Sequence, residues 1–176
     1  MQLEARIKSA IRDIPDFPQP GILFKDITPI LQDAILCNDI AEAFHESFKK
    51  QKIDAIVGIE SRGFLFGMLM AQKFGLPFIP VRKKGKLPAK TISFEYQLEY
   101  GSATVEIHND ALPAGSSVII HDDLLATGGT ACAAAELVKR LDCKVAGFAF
   151  VVSLDFLNGR KSVEQHSSNI VSLINY

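Results

Sequence analysis

The sequence predicts an α/β domain in which a central parallel sheet is flanked by helices on both faces. Three observations carry that expectation. Short runs rich in β-branched residues recur at 53–59, 118–120 and 145–152, the composition of strands buried on both sides. Apolar helical stretches follow the first two, at 64–74 and 130–141, in the alternation that builds crossover units. The intervening junctions hold small or charged residues, at 60–63 and 122–130, where strands leave the sheet and α/β proteins bind ligands.

A chain of 176 residues is expected to form a single domain over 1–176 with a real core. Its 48% hydrophobic and 22% charged residues are ordinary for a globular protein, and a formal net charge of −1 gives no support for a nucleic-acid partner. No apolar run approaches a membrane span, and the opening Met1-Gln2-Leu3-Glu4 lacks a signal peptide's plan. A cytoplasmic location is therefore expected. Cys37, Cys132 and Cys143 include no Cys-x-x-Cys pair, so neither a disulfide framework nor a zinc site is indicated.

Along the chain, residues 2–13 read as an amphipathic helix, with Leu3, Ile7, Ala10 and Ile11 on one face. Pro15, Pro18, Pro20 and Gly21 end it and impose an irregular, extended path through Leu23-Phe24-Lys25. By residue type alone, Phe24 reads as core. Asn38 is the expected N-cap of a helix running to about Lys50, with Ile40, Ala41, Phe44 and Phe48 inward. Strand 53–59 ends in Glu60-Ser61-Arg62-Gly63, and the helix that follows closes at Gly75. That turn is an anion site by its helix terminus and by the planar fork of Arg62, whose plainer role would be to pair with Glu60. After strand 78–81 comes the basic cluster Arg82-Lys83-Lys84-Gly85-Lys86, by itself an ordinary solvated face. Phe94, Tyr96 and Leu98 alternate, as do Ala103, Val105 and Ile107 beyond Gly101. This pattern predicts an antiparallel hairpin over about 92–108, standing off the parallel core with Glu99-Tyr100 at its tip. Cys132 falls in the first turn of helix 130–141, where a thiol pKa can drop, although no base is evident beside it. After strand 145–152, Asn158-Gly159-Arg160 turns the chain into a polar stretch, and 170–174 is expected as an edge strand.

The stretch Val118 to Thr130 organises the rest. A buried strand leads to Asp122 and Asp123, and Ala126-Thr127-Gly128-Gly129-Thr130 then lets the backbone curl and aim N–H groups at one point before a helix begins. No lysine follows Gly129, so this is not the P-loop for triphosphates, and Gly128-Gly129 does not give the dinucleotide fingerprint. What remains is a cradle for a single phosphate beside acids suited to sugar hydroxyls or a hydrated cation.

The run Asp122 to Thr130 closely resembles the phosphoribosyl-pyrophosphate motif of the type I phosphoribosyltransferase family. The segment Pro18-x-Pro20-Gly21-Ile22-x-Phe24-x-Asp26-Ile27-Thr28-Pro29 is similar to the base-recognition segment of its adenine phosphoribosyltransferases. The resemblance spans nearly the whole chain. It implies the type I phosphoribosyltransferase fold, with a small hood from about 1–30 and the C-terminal part, and a flexible hairpin. It also implies transfer of phosphoribose from phosphoribosyl pyrophosphate to adenine, giving AMP and pyrophosphate. Under that resemblance Ala126 to Thr130 hold the 5′-phosphate and Asp122 and Asp123 the ribose hydroxyls. Glu60, Ser61, Arg62, Arg82 and Lys86 serve pyrophosphate, with a non-proline cis peptide at Glu60–Ser61. Phe24 and Leu154 cover the two faces of the adenine. The Leu23 carbonyl and Lys25 N–H read its edge, a backbone contact that survives lysine where arginine is common. Glu99 handles the proton and Tyr100 shields the site. His121 stands where an aliphatic residue is usual, and no role attaches to it. Mg²⁺, held mainly by substrate and water with no direct protein ligand, and a homodimer are further implications. The alternatives are a sister enzyme for another base, which should lack the Phe24 segment, and a nucleic-acid-binding regulator on the same fold, which would need a broad basic face.

Overall fold

The computed structural model describes residues 2–97 and 101–176. Helix α1 (Leu3–Ala10) buries Ile7 and carries an i,i+4 Glu4–Lys8 pair on its outer side. It stops short of the expected residue 13, because Ile11 turns extended and Arg12–Pro15 form strand β1. That strand pairs antiparallel with β2 (Leu23–Asp26), setting Arg12 opposite Asp26 and Asp13 opposite Lys25. Charge complementarity across the ladder holds this small hood sheet. Its connection contains a cis Phe17–Pro18 bond and Gly21 at φ 88°, whose N–H donates to Asp16.

A 3₁₀ turn, Thr28–Gln32, leads into α2 (Ala34–Phe48). The N-cap is Asp33, whose side chain accepts from the Leu36 N–H at 2.9 Å, and not Asn38, which falls inside the helix. The remaining elements are β3 (Ala55–Ile59), α3 (Gly63–Phe74), β4 (Phe78–Lys83), β5 (Thr91–Gln97), β6 (Ser102–His108), β7 (Ser117–Leu125), α4 (Gly129–Arg140), β8 (Lys144–Ser153), α5 (Gly159–Glu164) and β9 (Ile170–Asn175). Gly75 ends α3 in the left-handed region. Helix α5 occupies part of what the sequence reads as a polar stretch.

Seven strands form one sheet in the order β5-β6-β4-β3-β7-β8-β9. Neighbours from β4 to β9 are parallel, while β6 runs antiparallel to both β4 and β5. The hairpin therefore does not stand off the core. Arg82 pairs with Glu106 and Lys83 with Val105, so the hairpin extends the sheet at one edge. The alternation of β-branched residues divides the core. Ile56, Ile119, Ala149 and Val151 face α1, α2 and α3. Val57, Val118, Ile120, Phe148 and Phe150 face α4.

Strand β3 is followed by β4 on one side, whereas β7 lies on its other side, so the direction in which strands are added across the sheet reverses between β3 and β7, although the two strands are parallel. Clefts open at the carboxyl ends of strands at such a point.

Candidate active site

Both acids are inside β7, which runs on to Leu125, two residues beyond the expected strand end. Asp123 is 3% exposed and accepts from Arg62 Nε at 2.6 Å. Asp122 Oδ1 accepts from the Asp123 N–H at 2.9 Å. Burial, with the Asp123 charge beside it, pushes the Asp122 carboxyl well above the usual carboxylate range. Glu60, Ser61, Arg62, Lys83, Asp122 and Asp123 enclose a cavity of about 250 Å³. The preceding His121 points into the layer beneath, edge-on to Phe44 with ring centroids 5.6 Å apart.

The loop expected to cradle phosphate, Ala126 to Thr130, follows. Gly128 takes φ 85°, and a Cβ there would come within 2.9 Å of the Gly159 carbonyl oxygen. Both facts require glycine. Helix α4 starts at Gly129, and no side chain among the described residues caps it, so its first N–H groups remain for a ligand. Helix α5, not expected from the sequence, braces the loop from behind. A Cβ on Gly159 would meet the Ala126 carbonyl oxygen at 2.0 Å. The Cys132 thiol in the first turn of α4 is shifted up by burial, opposite to the lowering a helix terminus can give, and reads as packing.

At the end of β3 the Glu60–Ser61 peptide is cis. Gly63 lets α3 start tight against β7, since a Cβ there would lie 2.9 Å from Asp122 Oδ1 and from the His121 carbonyl. The plainer pairing of Arg62 with Glu60 does not form. Glu60 instead accepts from Arg82 Nε at 3.2 Å and Nη2 at 3.0 Å, and Arg82 pulls its carboxyl below the usual range. Arg82 Nη1 also donates to the Lys86 carbonyl at 3.0 Å, which ties the basic loop back to β4.

Sequence reasoning missed the residue that shapes this basic loop. Glu106 on β6 is 4% exposed, and its Oε1 accepts from the N–H groups of Gly85, Lys86 and Leu87 at 3.0, 3.2 and 3.0 Å. Thr91 Oγ1 donates to its other oxygen at 3.3 Å. Every partner of that carboxylate is distant in sequence, so no local pattern announces it.

In the hood, Phe24 is half-buried with the Phe17 ring edge-on at 5.1 Å and the Arg62 guanidinium 5.3 Å from its centroid. Leu23 is exposed. The Lys25 side chain is buried and turned away, Nζ donating to Asp13 at 2.8 Å and lying 3.9 Å from the Tyr176 ring centre. Only its backbone is left for a ligand. Leu154 stands where β8 ends, its N–H bonded to the Leu125 carbonyl and its side chain half-buried. Glu99 and Tyr100 lie outside the described residues. Arg62 thus links the acid pair and the aromatic base segment from the loop between them.

A glycine-bearing loop at a helix start, an acid pair and an arginine-bearing loop at the switch point of a mostly parallel sheet form a cleft of the kind sugar-phosphate transferases use. The family model of the phosphoribosyl transferase domain matches residues 25–175. The adenine phosphoribosyltransferase of Cytophaga hutchinsonii is 49% identical over 99% of this chain and 96% of its own length, and that of Acaryochloris marina is 52% identical over 97% and 99%. Among solved structures, adenine phosphoribosyltransferase from Thermoanaerobacter pseudethanolicus superimposes with a TM-score of 0.94 at 50% identity, covering 98% of this chain and 99% of that one. The Saccharomyces cerevisiae enzyme, solved with an imino-altritol bisphosphate and adenine, gives 0.92 at 45% identity over 98% of each chain. The chain belongs to the adenine phosphoribosyltransferase family.

Proposed function

We infer that this protein transfers the 5-phosphoribosyl group of phosphoribosyl pyrophosphate to adenine, releasing AMP and pyrophosphate and salvaging the free base. The observation that carries the reading is the position of Arg62. One guanidinium holds a ribose acid, faces the Phe24 ring and springs from the loop assigned to pyrophosphate.

The residues divide the work as follows. Ala126, Thr127, Gly128, Gly129 and Thr130 bind the 5′-phosphate at the α4 terminus. Asp122 and Asp123 accept from the ribose hydroxyls and favour the positive charge that builds on the ring as its bond to pyrophosphate breaks. Glu60, Ser61, Arg62, Arg82 and Lys86 form the pyrophosphate region. The guanidinium and ammonium groups oppose the charge that leaves, and Glu60 orients Arg82. Phe24 and Leu154 sandwich the purine, and the Leu23 carbonyl and Lys25 N–H read its edge. Glu99 takes the proton lost from the base as the new carbon–nitrogen bond forms, and Tyr100 screens the site from water. The carboxyl oxygens of Glu60, Asp122 and Asp123 line the cleft, and such hard oxygen groups fit Mg²⁺ carried in on substrate oxygens and water. Bound there, Mg²⁺ would neutralise pyrophosphate charge and fix its orientation against the ribose.

The whole chain, 1–176, is read as one domain, with 1–30 and the C-terminal part as hood and 92–108 as cover. A homodimer fits the outer face of α2 and α3. There a groove of about 710 Å³ includes Leu31, Cys37, Ala41, Leu65 and Leu69, and Met68 is 55% exposed. No helix among the described residues is long and apolar enough to cross a membrane, and three free thiols suit a cytoplasmic location. The deciding experiment is pyrophosphate release from phosphoribosyl pyrophosphate with adenine, hypoxanthine, guanine or xanthine, with and without Mg²⁺. Release with adenine and Mg²⁺ together is expected. Preference for an oxopurine would overturn the assignment in favour of a sister enzyme, and salt-dependent binding to DNA or RNA without turnover would favour a regulator.

A further inference from the structure

The two walls assigned to the purine stand on separate sheets. Phe24 belongs to the hood ladder of β1 and β2, whereas Leu154 follows the end of β8 in the main sheet. No ladder among the described residues joins the two sheets. Tyr176, just past β9, reaches both. Its N–H donates to the Ser153 carbonyl at 2.9 Å and its main-chain oxygen accepts from the Asp155 N–H at 2.9 Å, so its backbone brackets Leu154. Its ring lies against Lys25, whose Nζ is 3.9 Å from the ring centre. Lys8 approaches the same ring from α1 at 5.8 Å.

We propose that Tyr176 is a positioning residue that sets the spacing of the purine slot, a role that rests on the assignment of Phe24 and Leu154 to the two faces of the base. Lys25 is 8% exposed and donates to Asp13, its partner across the hood ladder, at 2.8 Å. An ammonium so far out of water gains more from an aromatic face than one at the surface. The ring and the Asp13 carboxylate together therefore pin the end of the lysine. Successive side chains of a strand point to opposite faces. Pinning Lys25 on one face of β2 fixes Phe24 on the other, together with the main chain between them and the Lys25 N–H assigned to the purine edge. The same tyrosine holds the chain on both sides of Leu154 through its backbone. One residue thus ties the two walls, by its ring to one and by its main chain to the other.

Tyr176→Leu removes the ring and keeps the backbone. It is expected to raise the Kd for AMP by roughly 3- to 10-fold, while the Kd for ribose 5-phosphate, the same ligand without its base, stays at the parent value. The KM for adenine should rise with the AMP Kd and kcat should hold. Tyr176→Phe keeps the ring and should bind both ligands as the parent does. Lys25→Met keeps the stem and main chain, removes the ammonium, and should add no further loss in a Tyr176→Leu background. Loosened packing alone would not separate the two ligands. An unchanged AMP Kd in Tyr176→Leu, an equal loss for ribose 5-phosphate, a Tyr176→Phe as weak as Tyr176→Leu, or additive losses in the double variant overturns the positioning role. If Tyr176→Leu fails to fold, Lys25→Met alone decides, because an unchanged AMP Kd there also overturns it. A parent that holds AMP no more tightly than ribose 5-phosphate has no purine slot, and would instead sink the function inferred above.

Discussion

Arg62 is the side chain that joins Asp123 on β7 to Phe24 in the hood, and in the proposed function the base, ribose and pyrophosphate regions meet on it. It donates through Nε to Asp123 and holds its guanidinium 5.3 Å from the Phe24 ring centre, two tasks for which a lysine has no equivalent geometry. Arg62→Lys is expected to lower kcat/KM by roughly 10- to 100-fold without unfolding the chain, and steady-state kinetics beside a thermal melt would show otherwise if activity held. Glu99→Gln should depress kcat by about 10²- to 10⁴-fold while changing the KM for phosphoribosyl pyrophosphate far less; equal losses in both would remove it as the proton acceptor. His121 has a different part. It is fully buried, neither ring nitrogen has a hydrogen-bond partner among the described residues, and burial lowers its pKa to about 4 against weaker opposing pulls from the Asp123 charge and the Ala149 backbone. The unfolded imidazole titrates near 6.5. Between those values the unfolded chain holds a proton that the folded one lacks, so stability from this residue is full above the upper value and falls as pH drops toward the lower. The loss amounts to about 3 kcal/mol. His121→Val should flatten that acid slope, measured as the difference between variant and parent urea melts at neutral and acid pH, and parallel slopes would refute it.

At the scale of elements, the cradle depends on a helix that the sequence did not announce. Helix α5 is short and polar, and its first residue presses its backbone onto Ala126. Gly159→Ala inserts a methyl at 2.0 Å from a carbonyl oxygen, so loop or helix must shift. The expected result is a destabilisation of about 1–3 kcal/mol with a raised KM for phosphoribosyl pyrophosphate, and unchanged values of both would contradict the bracing role. The contrast with β7 explains what was legible. Val118 to Thr130 encodes strand, acids, turn and helix start within one window, so periodicity and glycine placement sufficed. The β1–β2 ladder is built from charge pairs instead of alternating apolar residues, and its first strand continued a helical pattern. Glu106 recognises backbone N–H groups, which have no residue identity to read. Asp33 displaced Asn38 as a cap because the 3₁₀ turn at Thr28–Gln32 starts α2 earlier than its apolar face suggests.

For the whole molecule, the order of strands places Glu60 to Arg62 beside Asp122 and Asp123, at neighbouring strands that run the same way but are separated in sequence by strand β4 and the β5–β6 hairpin. The alternation of strands and helices made a parallel sheet legible; the joining of the hairpin to its edge was not, since Arg82 and Lys83 read as a basic loop and not as strand partners of Glu106 and Val105. The same architecture leaves α3, which begins just after the Glu60–Arg62 loop, with Leu65 and Met68 on its outer face. Met68→Asp is expected to shift the protein from dimer to monomer in sedimentation velocity, and a parent that is itself monomeric would refute the assignment of that face. The most direct test of the central claim is a crystal structure with AMP bound. The account predicts the phosphate on the N–H groups of 126–130, the ribose hydroxyls on Asp122 and Asp123, and the adenine against Phe24; a nucleotide seated anywhere else, or with its phosphate on the Glu60–Arg62 loop, would contradict it.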